Sequence, residues 1–166
     1  GGGIKPGAFR SELSGSEILA RILVLEDSRS LGAGTIQGYL QHRDAGIRRR
    51  AAVAAGRIGD ALAVPRLIES LKDEVVEVRR AAALALGLIA SPEAVAALTT
   101  SLSDADALTR GRASEALSRI GQASSGPDIA QAFRRALPQT PGGVLRIRGD
   151  NPGRTDDPWV ELRLHL

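Results

Sequence analysis

The chain has 166 residues (17.3 kDa), with 22 Lys+Arg against 19 Asp+Glu, a formal charge of +3, and neither cysteine nor methionine. That excludes a disulfide framework, a thiol nucleophile, a Cys-ligated zinc and an iron–sulfur site; the two histidines, His42 and His165, leave little for a His-rich metal site. No run of about 18 apolar residues is present to span a membrane.

Hydrophobic residues make up 43% of the chain, yet only Phe9, Tyr39, Phe133 and Trp159 are aromatic. Alanine and leucine supply most of the rest, and both favour helix because little side-chain entropy is lost there. The composition predicts an all-α fold with close helix–helix contacts.

In chain order, residues 1–15 are Gly/Ser-rich and read as a flexible start. A 31-residue period then governs the sequence. Ile47, Val78 and Thr109 fall at that step, as do Arg48, Arg79 and Arg110. Ala51, Ala82 and Ala113 follow, then Ala54, Ala85 and Ala116, then Ile58, Ile89 and Ile120. Leu67, Leu98 and Ile129 recur, and one step back from Leu67 and Leu71 stand Ile36 and Leu40. A degenerate first unit at about 16–43 therefore precedes three clear ones. In each unit a first helix is predicted over about 46–57, 77–88 and 108–119, with apolar residues at i, i+4, i+7 and i+11. Gly59-Asp60 and Ser91-Pro92 break it. A second helix follows, carrying Val64, Leu67 and Leu71, or Val95, Leu98 and Leu102; the last is expected at about 127–137. Neither helix buries its stripe alone, whereas stacked hairpins share a continuous core. The expectation is a right-handed α-solenoid of about four hairpins over 16–137, with an irregular C-terminal extension.

Residues 138–157, rich in Pro, Gly, Asp and Arg, read as a linker or long loop. Residues 158–166 read as the start of a further helix, because Asp157-Pro158 suits a helix entry, although Val160, Leu162, Leu164 and Leu166 also alternate like a strand. An apolar end without a polar cap suggests a fragment of a longer protein, or an end that pairs with a second copy in a dimer.

The runs "GIRRRAAVAAGRIGDALAVPRLIESLKD" and "EVRRAAALALGLIASPEAVAALTTSLSD" resemble HEAT repeats, of the short type named from phycobiliprotein lyases. The resemblance implies a binding scaffold without cofactor or catalysis. "ILARILVLEDSRS" (Ile18–Ser30), with "GRIGD" and "RGRASEAL", is also similar to the N-terminal HEAT region of bacterial multidomain proteins that carry a cyclophilin-type peptidyl-prolyl isomerase domain elsewhere. That resemblance implies recruitment or positioning.

Asp44, Asp73 and Asp104 stand shortly before Arg48, Arg79 and Arg110, and are expected to form an Asp–Arg ladder between repeats. Arg48-Arg49-Arg50, with Arg43, Arg57, Arg79, Arg80, Arg112 and Arg119, forms a basic stripe that an anionic partner could meet. Nucleic acid is disfavoured, since net charge is low and stacking aromatics are few. Second helices usually line the concave, partner-binding side of such solenoids. The expected contact positions are Gln37, Gln41, Arg66, Glu69, Ala97, Thr100, Gln131 and Arg134, facing a protein segment or another domain of the parent chain. Glu26-Asp27 and Asp156-Asp157 are adjacent acidic pairs, but neighbours in sequence do not share a helix face. His42 reads as a helix C-terminal cap. No nucleophile elbow, P-loop, dinucleotide fingerprint or zinc helix motif occurs.

Overall fold

The computed structural model describes residues 12–123, 131, 132, 134 and 135, together with the backbone of 144–148 and 159–163. The first eleven residues and most of the expected 127–137 helix lie outside the described residues; 131, 132, 134 and 135 are helical.

The first hairpin pairs α1 (Gly15–Asp27) with the short α2 (Thr35–Tyr39). Ser14 opens α1 through a capping box: its Oγ accepts from the Glu17 N–H at 3.3 Å, and Glu17 accepts from the Ser14 N–H at 2.7 Å. That satisfies two otherwise orphaned donors. The second hairpin is α3 (Ala45–Ile58), a 3₁₀ turn at Ala61–Ala63 and α4 (Val64–Ser70). The third repeats it as α5 (Val76–Ile89), a turn at Pro92–Ala94 and α6 (Val95–Ser101), and α7 (Ala107–Ala123) begins the fourth. Helix α3 ends at Gly59, where φ is 78°, and the same station after α5 is Ala90 at φ 56°. A left-handed exit costs glycine nothing and alanine about 1 kcal/mol.

The 31-residue columns are the core. Ala51, Ala82 and Ala113 are fully buried, and so are Val78, Thr109, Leu67 and Leu98. Thr109 takes an apolar station without penalty because its hydroxyl donates to Asp106 Oδ2 at 2.9 Å. Successive first helices touch through glycine. A Cβ on Gly56 would lie 2.7 Å from Ala85 Cα, and one on Gly87 would lie 2.9 Å from Ala116 Cα. Only hydrogen at these stations lets the helix backbones come so close.

The C-terminal reading is corrected. Val144–Arg148 is strand β1, inside the stretch expected as linker, and Trp159–Arg163 is strand β2 where a helix was expected. They pair antiparallel, Leu145 opposite Leu162 and Ile147 opposite Val160. Two short alternating segments satisfy each other's backbone groups along a ladder. A helix of nine residues would be marginal by itself, so the alternation outweighs the Asp-Pro entry signal.

Candidate functional site

Arg48 on α3 reaches forward into the next repeat. Its Nε and Nη2 donate to Asp73 Oδ2 and Oδ1 at 2.8 and 2.9 Å, a two-pronged pair with both side chains only 11% exposed. Arg79 makes the same pair to Asp104 at 2.9 and 3.1 Å, again 25 residues on. Each arginine also turns Nη1 back to a main-chain carbonyl six residues earlier: Arg48 to His42, Arg79 to Asp73 and Arg110 to Asp104, at 3.0, 2.9 and 2.8 Å. One guanidinium thus ties its own turn to the next one.

Asp44 stands outside that ladder. The residues 31 apart are His42, Asp73 and Asp104, while Asp44 shares its column with Val75 and Asp106. Accordingly Asp44 Oδ1 caps α3, accepting from the N–H of Gly46 and Ile47 at 2.7 and 3.3 Å. His42 takes the aspartate's place in the turn, with Nδ1 accepting from the Asp44 N–H at 3.0 Å. Asp73 and Asp104 do the same for Val75 and Asp106 at 2.9 and 2.8 Å. His42 therefore supports the entry to α3 rather than the exit from α2. Burial pushes the Asp73 carboxyl up, but the Arg48 hydrogen bond and the Val75 N–H outweigh it and hold it below its ordinary value.

Two clusters were not legible as such in the sequence. Glu26, expected only as half of an acidic pair, is bound by Arg50 at 2.5 Å and Arg57 at 2.6 Å. Burial raises its pKa; the two guanidinium groups more than reverse that. Asp106 holds Arg80 at 2.6 and 2.8 Å while accepting the Thr109 N–H, and its carboxyl is held far below the usual range chiefly by Arg80. The 31-residue column Glu26–Arg57 was a usable signal for the first cluster; nothing local marked the second. On α7, Arg112 and Arg119 share Glu115 at 2.9 and 3.0 Å. The arginine stripe is thereby largely neutralised by partners of its own chain.

The second helices present a different surface. Gly38, Glu69, Thr100 and Gln131 form one column, and Gln41, Lys72, Ser103 and Arg134 another; all eight are exposed. Arg66 and Ala97 are half-buried beside them, and Gln37 is half-buried with its Oε1 enclosed. Arg66 pairs with Glu69 at 2.8 Å, and Gln41 donates to the same carboxylate at 3.4 Å across the repeat boundary. Near α6 the surface is short-chained and uncharged: Ala96, Ala97, Thr100 and Ser103. Among the described residues no group of His, Asp or Glu is arranged to hold a metal, and no helix is long and apolar enough to cross a membrane.

Stacked helical hairpins with a constant repeat and an inter-repeat ion-pair ladder define a repeat protein of the helical solenoid class. The HEAT-repeat family model matches residues 20–83 and 64–148, so the chain belongs to the HEAT-repeat family. No curated protein sequence matches it.

Proposed function

We propose that this chain is a non-catalytic scaffold whose second-helix face holds a protein segment or another domain of its parent protein. The observation that carries the reading is the pair of exposed columns, Gly38 to Gln131 and Gln41 to Arg134, with only short uncharged side chains (Ala96, Ala97, Thr100, Ser103) near α6. A surface that is neutral and short-chained at α6, with one Arg66–Glu69 pair beside it, suits close approach of a polypeptide backbone. HEAT repeats commonly serve as protein-interaction scaffolds, which favours the same reading. The likeness of Ile18–Ser30 to isomerase-associated HEAT regions adds one candidate, a peptidyl-prolyl isomerase domain in the parent chain.

Nucleic acid is less well supported, because Arg48, Arg79, Arg80, Arg50 and Arg57 are each engaged by a carboxylate. A photo-crosslinking residue at Thr100, with a second at Glu93 as an off-face control, tests the proposal in cells. Protein adducts from Thr100 and not from Glu93 are expected. Nucleic-acid adducts, or equal labelling from both positions, would overturn it.

A further inference from the structure

Four of the seven large apolar side chains exposed among the described residues belong to α1 or its entry: Leu13, Leu19, Leu23 and Val24. Leu19 is 41% exposed and Leu23 57%. Both line a hollow of about 470 Å³ between α1 and α3, with Ile47 in its lining and Arg49 and Arg50 among the charged residues there. Leu23 also lines a second hollow of about 500 Å³ with Arg29, Arg57, Glu26 and Asp27. Leu23 lines both hollows, together the α1–α3 furrow.

The α1–α3 seam differs in sequence from the two that follow it. Glycines 56 and 87 let α3 meet α5 and α5 meet α7 at backbone contact. The station 31 residues before Gly56 is Leu25, and the neighbouring Glu26 spans to Arg50 and Arg57. The α1–α3 seam thus lacks the glycine contact that the next two seams have. The charge lining the furrow is also partly spent. Glu26 is shared by two arginines, and Asp44, in the first hollow, caps α3. The Arg29 and Arg49 side chains make no ion pair among the described residues, and Asp27 and Asp44 are the carboxylates of the lining without an arginine partner.

We infer that the α1–α3 furrow is a second docking surface, and that its occupant is an amphipathic helix with an apolar stripe and an acidic edge. Leucine-type side chains one turn apart would seat against Leu19 and Leu23, the helix-in-groove mode. Glutamate or aspartate along the edge would meet Arg49 at one end and Arg29 at the other, a complementarity that gives orientation and salt dependence. This surface is separate from the second-helix face, and it stands or falls independently of what binds there.

The test uses the whole chain with labelled leucine methyls and two synthetic helical peptides that share one apolar stripe, one edged with glutamate and one with lysine. The glutamate peptide is expected to shift the Leu19 and Leu23 methyls, to bind at least tenfold more tightly than the lysine peptide at low salt, and to weaken as salt rises. Leu23→Glu should weaken it at least tenfold with the melting curve unchanged, since Leu23 packs little in the folded chain. Arg49→Glu should weaken the glutamate peptide and strengthen the lysine one. Thr100→Arg, on the other face, should leave both unchanged. Equal binding of the two peptides, unmoved leucine methyls, or loss of binding in Thr100→Arg would overturn the assignment. So would concentration-dependent shifts of the same methyls without peptide, which would make a second copy the occupant.

Discussion

Gly56 and Gly87 sit where helix backbones nearly touch, and they carry a clear mutational signature. Alanine in an exposed helix interior normally gains about 1 kcal/mol over glycine. At Gly56 the added Cβ would fall 2.7 Å from Ala85 Cα, so α3 and α5 must separate. Overpacking of this kind costs about 1–3 kcal/mol and exceeds the propensity gain. Gly111 on α7 has nothing within 4 Å of its would-be Cβ. Thermal unfolding of the three single variants should therefore show Gly56→Ala and Gly87→Ala melting lower than the parent and Gly111→Ala higher. A rise in all three would mean that the seams are not backbone contacts. At this scale the sequence was only partly readable. The alanine columns announced themselves by repetition, whereas Gly56 and Gly87 look like ordinary helix residues until their neighbours are placed. The displacement of Asp44 from the ladder was hidden because an aspartate stands near every one of these arginines, and only the 31-residue arithmetic applied to His42 separates the cap from the rung.

Between elements, the rungs Arg48–Asp73 and Arg79–Asp104 hold each first helix to the following turn. Both partners of the first rung are largely out of water, so removing one strands the other. Asp73→Ala should cost about 3 kcal/mol by that reasoning, and adding Arg48→Met should recover part of the loss. Urea midpoints of the two single variants and the double variant measure this; strict additivity would show that the rung contributes only as a surface pair. The same carboxylates set the acid response. Asp73, Glu26, Asp106 and Glu115 are all held below their ordinary values, with arginine hydrogen bonds the dominant lowering influence. The unfolded chain then binds more protons than the folded one wherever the unfolded carboxylates titrate, so stability falls as pH drops. The urea midpoint should be level from pH 7 to about 5 and decline from about pH 4 downward, toward the lowered folded values. Asp106→Asn should make the decline shallower. A midpoint level down to pH 3 would contradict the reading. At the C-terminal end the local Asp157-Pro158 signal suggests a helix entry, but the strand alternation prevails because its partner, Val144–Arg148, stands about 15 residues earlier in the chain.

For the molecule as a whole, stability and shape come from nearest-neighbour stacking at a constant 31-residue step, and the second-helix face is the proposed working surface. The repeat register and fold class were legible from the sequence because identical contacts demand identical residues. The proposed binding face was legible only as a set of positions, since exposure leaves side-chain identity almost unconstrained. The α1–α3 furrow was not legible at all, because no motif marks it and the hollows exist only once the helices are placed. The stacking claim has a direct measurement: urea unfolding of a chain in which residues 74–104 are duplicated in tandem after Asp104. The copied Arg79 would then meet the copied Asp104, and Gly87 would meet the copied Ala85 in place of Ala116. The account predicts a folded protein with more helix, a larger m value in proportion to the added buried surface, and a midpoint no lower than the parent's. A duplicated chain that is unfolded, or that gains length without gaining m value, would contradict it.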